Sequence, residues 1–210
     1  MSKYFHDLNF LPQSEIITEM RDYALKNQVP IINDEGLAFL LFLARTLKAK
    51  RILEIGTAIG FSAINMAYSD SEIIIDTIER DEEMYKKALI NVAAADFSTK
   101  INIIHDDALT LDLTKLSGNY DLIFIDAAKA QYTNFFTKYA PLLSETGIIF
   151  TDNLLFHGLV ATSEEVTSKN LRHLVTKIKD FNQWLKDNTD YCSTFFAIGD
   201  GIAVSQRAKR

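Results

Sequence analysis

The sequence predicts a doubly wound α/β fold, a mostly parallel sheet closed at one edge by an antiparallel hairpin. Three observations carry that prediction. From residue 51 onward, short apolar runs alternate with helical segments. The runs are near-continuous in Ile, Leu and Phe, as in strands covered on both faces, where half-exposed strands would alternate with polar residues. Finally, the last two runs are joined through Gly199-Asp200-Gly201, and Asp-Gly between apolar runs signals a hairpin.

Taken in order, residues 13–27 (QSEIITEMRDYALKN) place Ile16, Ile17, Met20, Tyr23 and Ala24 at helical spacing. A Pro-marked loop follows, then Asn33 as a cap with acids in the first turn, opening an apolar helix that runs to about Leu47. RILEIG is a first strand ending at Gly56, and IGFSAINMAYS the helix after it. EIIIDTIE, INIIHDDA, YDLIFIDA and GIIFTDN are the next four strands. RDEEMYKKALINVAAAD and YTNFFTKYAPLL are helices between them. A long helix around 164–187 leads into the hairpin run STFFAIGDGIAVSQR. No repeat or low-complexity tract divides the chain. The expectation is one domain over 1–210, with 1–48 as an N-terminal helical segment.

At 210 residues the chain can bury a substantial core. Its 48% hydrophobic and 24% charged content is that of a globular protein and lies away from disordered or membrane classes. A net charge of −6 argues against general nucleic-acid binding, which rests on phosphate neutralisation. The single Cys192 leaves no internal disulfide and fits a reducing compartment. The N-terminal MSKYFHDLNFLPQSE lacks the apolar core of a signal peptide, and no stretch reaches membrane-span length. The expected location is the cytoplasm, with no membrane partner.

In an open parallel sheet, ligands bind beyond the carboxyl ends of the strands. The first strand ends LEIGTAIGFS, where Gly56 and Gly60 let the backbone approach a ligand. Ala58 stands where a pyrophosphate-binding turn needs glycine, which lowers a nicotinamide reading. The second strand ends in Glu79, whose carboxylate suits the two hydroxyls of a ribose; the alternative is that it complements the dipole of the next helix. The third ends HDDA, where Asp107 suits an adenine amino group and the Ala108 amide a ring nitrogen. Three successive strand ends thus suit one adenosyl ligand. Asp126 closes the fourth strand and Asp152-Asn153 the fifth. Carboxylates at the ends of apolar strands are expensive unless paired or bound to a metal, and two carboxylates with an amide oxygen are hard ligands of the Mg²⁺ kind. The alternative is that Asp126 caps a helix and Asp152-Asn153 makes a turn. Lys129, three residues beyond Asp126, is either a proton acceptor with a lowered pKa or an ordinary solvated lysine.

Together, AKRILEIGTAIGFSAI, IERDEEMYKKA, HDDAL, DLIFIDAAKAQY, GIIFTDNLLFHGLV and AIGDGIAVSQR resemble the motifs of the metal-dependent class I O-methyltransferases. That group contains catechol and caffeoyl-coenzyme A methyltransferases, and the resemblance covers about residues 30–207. It implies a Rossmann-like seven-stranded methyltransferase fold. It also implies an S-adenosylmethionine site lined by Ile32, Glu54, Gly56, Ser62, Glu79, Asp107, Ala108 and Asp126. By the same resemblance Asp126, Asp152 and Asn153 hold Mg²⁺, while Lys129, with Asp126, carries the chemistry. Two departures stand out. The family usually has glycine where this chain has Asp106, and small catechol enzymes place an aromatic residue where this chain has Ala128.

Short Gram-positive-type relatives include a tRNA methyltransferase acting on wobble 5-hydroxyuridine, and that acceptor is the first expectation. Basic residues that would serve tRNA are Arg45, Lys48, Lys50 and Arg51; Lys169, Arg172, Lys177 and Lys179; and Arg207, Lys209 and Arg210. The alternative acceptor is a small catechol or hydroxycinnamoyl-type molecule with vicinal hydroxyls. A non-catalytic adenosyl-binding module and a nicotinamide oxidoreductase are the remaining rivals. A homodimer through the apolar helix of 13–27 or Phe-rich faces is also expected.

Overall fold

A computed structural model describes residues 4, 8, 14–162 and 168–209. Its sheet has seven strands: β1 (Arg51–Ile55), β2 (Ile74–Glu79), β3 (Ile101–His105), β4 (Tyr120–Ile125), β5 (Leu143–Thr151), β6 (Tyr191–Phe196) and β7 (Ile202–Arg207). Their spatial order is β3-β2-β1-β4-β5-β7-β6. β1 to β5 are parallel; β7 runs antiparallel to β5 and β6 to β7. The predicted fold class is the observed one. Strand order reverses between β1 and β4, so the chains leaving those two strands part and open a crevice between them.

The helices are α1 (Glu15–Asn27), α2 (Asp34–Leu47), α3 (Phe61–Ser69), α4 (Glu82–Ala94), α5 (Tyr132–Tyr139) and α6 (Lys169–Asp187). Alternation along each strand sorts the core onto two faces. Ile52, Leu122, Phe124 and Phe150 pack with α1, α2 and α3. Leu53, Ile123, Ile125 and Ile149 pack with α5 and α6. A strand covered on both sides has no face left for polar residues, which is why the runs read as continuous. The Asn33 cap falls where the sequence placed it, its Oδ1 accepting from the Gly36 amide, and Asp81 Oδ1 accepts from that of Met84 at the start of α4.

Several boundaries differ from the sequence reading. β5 begins at Leu143, ahead of the expected 147, with Gly147 inside it. A Cβ on Gly147 would lie 2.8 Å from the Tyr120 carbonyl oxygen, so this glycine marks a close backbone approach. The β4–β5 register shifts at that point. The long helix begins at Lys169 behind a Ser168 cap, and 164–167 of its expected span lie outside the described residues, as do Gln13 and Arg210. α1 turns Ile17, Met20 and Ala24 into the protein's own core, so that apolar face is not available to a second copy. Among the described residues, no helix is long and apolar enough to cross a membrane.

Candidate active site

The crevice at the β1/β4 divergence is a cavity of about 340 Å³. Its floor is the turn after β1. Gly56 has φ +103°, and a Cβ there would sit 2.1 Å from the carbonyl oxygen of Asp126, so the two strand ends touch through a residue that can only be glycine. The Gly56 and Thr57 amides donate to Ile78, and Gly60 closes the turn onto Thr57 at 2.8 Å. Glu79 holds the turn from the side: one oxygen accepts from the Ala58 amide and the other from that of Asp81, both at 2.8 Å. A carboxylate offers about four lone-pair sites, so these bonds leave two of them untaken.

Ile32, Gly56, Ser62, Glu79, Asp107, Ala108, Asp126, Lys129 and Asn153 all reach the cavity wall. Glu54 does not. It is fully buried in β1, opposite Thr77 of β2, and accepts from the hydroxyls of Ser62 and Thr77. It therefore stands behind Ser62, one layer back from the ligand space the family resemblance implied for it. Burial pushes its carboxyl up to about 8; the Ser62 and Thr77 hydroxyls pull it down, and the charges of Asp126 and Glu79 push it further up. A folded pKa raised above 4.5 means stability that is complete below pH 4.5 and lost as pH rises through about 8. Glu54→Gln should therefore gain on the native protein across that window, by on the order of 4 kcal/mol, and level off above it. Denaturant unfolding from pH 4.5 to 9 checks this; a difference independent of pH would contradict it.

At the adenine end, Asp107 Oδ1 is turned back onto the Leu109 amide, with Oδ2 3.9 Å from Arg80. Asp106, which departs from the family pattern, caps the Asp107 amide and pairs with Lys115 at 2.9 Å. That pairing holds its carboxyl below the usual range.

At the opposite end, Asp126 leaves β4, and Asp152-Asn153 leaves β5 beside it. Asp152 is fully buried; its Oδ1 accepts from the Asn153 amide, and its Oδ2 is buried without a hydrogen-bond partner among the described residues. Burial, then the charge of Asp126, pushes the Asp152 carboxyl up to about 7. Burial likewise raises Asp126, opposed by the charge of Lys129. Asn153 has φ +62°, and its Oδ1 accepts from Lys129 Nζ. An amide oxygen has two lone pairs, so one direction remains. No three His, Cys, Asp or Glu side chains converge among the described residues. The set is two carboxylates and an amide, all hard oxygens, with one buried oxygen lacking a partner. Such a set fits Mg²⁺.

The family match follows the same residues. The profile of a family described as O-methyltransferase matches residues 9–208. The chain belongs to the O-methyltransferase family. With that family it is an enzyme, a methyltransferase dependent on S-adenosylmethionine. It is 31% identical to the flavonoid 3',5'-methyltransferase of Vitis vinifera, over 92% of this chain and 84% of that one. A Staphylococcus aureus protein provisionally assigned as a caffeoyl-CoA O-methyltransferase is 40% identical, with a TM-score of 0.92 over 98% of both chains. The O-methyltransferase TomG of Streptomyces achromogenes, solved in complex with SAM, shares the fold at 23% identity, TM-score 0.82, over 98% and 95% of the two chains.

Three features of this O-methyltransferase escaped the sequence reading. Tyr132 is buried and donates from its hydroxyl to the Asp152 carbonyl at 2.9 Å; in sequence it reads as a core aromatic. Thr57 and Thr77 join hydroxyls at 2.6 Å behind the floor turn. The third is where the basic residues lie. Lys50 and Arg51 sit at the amino end of β1, the end away from the cavity. Lys50 pairs there with Asp70 and Glu72, and Arg51 lies 3.9 Å from Asp76. Arg207 donates to the Ala140 and Leu143 carbonyls, also at that end. The long helix α6, which carries Lys169, Lys177 and Lys179, packs on the 129–131 turn.

Proposed function

We propose that this protein methylates one of two neighbouring oxygens on a small aromatic acceptor of the catechol or hydroxycinnamoyl type, using S-adenosylmethionine and Mg²⁺. The observation that carries the reading is Asp152 Oδ2, buried and unpartnered beside Asp126, Lys129 and Asn153, which line a cavity whose other end suits an adenosyl group. Asp126, Asp152 and Asn153 would hold Mg²⁺, which would supply Lewis acidity that lowers the pKa of the acceptor hydroxyl.

The chain's own residues do the rest. Glu79 takes the ribose hydroxyls through its two open lone-pair sites. Ser62, oriented from behind by Glu54, and the amides of the floor turn bind the amino-acid end of the methyl donor, while the Ala108 amide meets the adenine ring. The acceptor oxygen attacks the methyl carbon in line; the O–C bond forms as the C–S bond breaks, leaving S-adenosylhomocysteine. Lys129 Nζ receives the hydroxyl proton and passes it to solvent. Lys129→Met should lower kcat by about 10²–10⁴-fold with cofactor affinity unchanged, as steady-state kinetics and calorimetry would read.

The exposed Lys169, Lys177 and Lys179 on α6 favour a second acceptor, wobble 5-hydroxyuridine of tRNA. Its hydroxyl and neighbouring carbonyl offer the same paired oxygens. The deciding experiment supplies labelled S-adenosylmethionine with catechol-type acceptors, their monohydroxy counterparts, and tRNA bearing 5-hydroxyuridine. Label in the paired-oxygen small molecules alone supports the first reading. Label in tRNA alone transfers the assignment to the second, and label in monohydroxy acceptors removes the basis of both.

A further inference from the structure

The turn of the β6–β7 hairpin is wedged between the start of α2 and the segment that follows Asp152-Asn153. A hairpin turn of Gly-Asp-Gly type is ordinarily solvated, yet the Asp200 side chain is only 16% exposed. On one flank, a Cβ on Gly199 would lie 2.5 Å from Asn33 Nδ2, and the Gly199 amide donates to Glu35 at 3.0 Å. On the other, a Cβ on Gly201 would lie 2.8 Å from the Leu155 nitrogen. The turn therefore presses on the segment that follows Asp152.

That segment is strained. Asn153, Phe156 and His157 have φ of +62°, +46° and +56°. Side chains with a Cβ resist this conformation, and it persists only where the surroundings impose it. Three amides of the segment run into the hairpin turn. Leu154 donates to the Gly201 carbonyl at 2.9 Å, Leu155 to the Asp200 carbonyl at 2.7 Å, and His157 to Asp200 Oδ1 at 2.5 Å. The last is the only one of the three made by a side chain, so it is the one a substitution can remove without touching the backbone.

We infer that Asp200 is a positioning residue for the divalent-ion site: by accepting from the His157 amide it fixes the left-handed turn that presents Asn153 Oδ1 beside Asp152. The inference rests on the divalent-ion reading above. Groups that orient metal ligands from behind typically contribute one to two orders of magnitude to affinity.

The test is calorimetric titration of the full chain with Mg²⁺ and, separately, with S-adenosylmethionine. Asp200→Ala should weaken Mg²⁺ binding by about 10–100-fold and leave cofactor binding unchanged. Alanine suits the backbone, since Asp200 is not among the positive-φ residues, and the thermal midpoint reports that the variant is folded. Asp200→Asn keeps an oxygen for the His157 amide and should stay within about twofold of native. Native Mg²⁺ affinity in Asp200→Ala, even with a lowered thermal midpoint, overturns the inference and leaves the ion site standing. Equal loss in Asp200→Asn and Asp200→Ala overturns the amide-acceptor role in favour of bare charge. Failure of the native protein to bind Mg²⁺ overturns the ion reading and this inference together.

Discussion

Asp152→Asn is expected to lower methyl transfer by roughly 10³-fold, about 4 kcal/mol of barrier, while leaving the protein folded. The two halves of that result have one cause. Asp152 Oδ2 is buried with no partner, and burial with the neighbouring Asp126 charge pushes the carboxyl up to about 7. As a carboxylate it is costly to the metal-free fold, a cost that the cation of the proposed function would offset. Asparagine keeps the Oδ1 that accepts from the Asn153 amide and removes the charge. A folded pKa raised above 3.8 means native stability falls as pH climbs through about 7. Above that pH, metal-free Asp152→Asn should melt higher than metal-free native protein, and saturating Mg²⁺ should stabilise the native protein alone. Thermal unfolding with and without chelator, run beside the transfer assay, reads both. Full activity in the variant would remove Asp152 from the ion site.

Gly56→Ala should be the most damaging single-methyl change in the floor turn. The new Cβ would meet the Asp126 carbonyl oxygen at 2.1 Å and its carbon at 2.9 Å, on a residue with φ +103°. Neither partner can retreat, because the Asp126 amide is bonded to Ile55 at 3.0 Å and that of Gly56 to Ile78 at 3.1 Å. A loss of roughly 3–5 kcal/mol follows from strain plus overlap, lowering the thermal midpoint by about 10 °C. Any folded remainder should have lost cofactor binding, since the displaced groups are the cavity floor. Gly158→Ala is the control. Its φ is also positive, at +81°, but a Cβ there meets nothing within 4 Å, so only the conformational cost of about 1–2 kcal/mol applies. Equal effects at the two positions would show that the close approach to Asp126 does not matter.

The strand ends were legible because a parallel sheet buried on both faces writes continuous apolar runs, and any acid that stops such a run stands out. Glu79, Asp107, Asp126 and Asp152-Asn153 were singled out that way, and the structure places them at the carboxyl ends of β2, β3, β4 and β5. Glu54 was assigned to the cofactor by the family resemblance, and the structure sets it behind the cavity wall. It lies inside its strand, two residues before Gly56, and pleating turns it toward Thr77 and away from the crevice. Gly147 looked like a strand boundary, whereas it marks the point where β5 passes close to Tyr120. The basic residues were countable, but composition carries no information on which end of the sheet a lysine occupies. Lys50 and Arg207 are engaged at the end opposite the cavity. Asp200 gave only a hairpin signal, because its contact with His157 spans 43 residues of chain. The buried apolar face of α1 was read as a surface for the same reason: periodicity shows that a face is apolar, not what covers it.

The most direct test is labelled-methyl transfer to a catechol acceptor, with and without a chelator and with Mg²⁺ added back. The account predicts label in the acceptor that the chelator abolishes and Mg²⁺ restores, with S-adenosylmethionine still bound in the chelated protein. Transfer that persists in the chelator would contradict it. Asp126, Asp152 and Asn153 would then be a buried polar cluster of the fold, and Lys129 alone would have to move the proton.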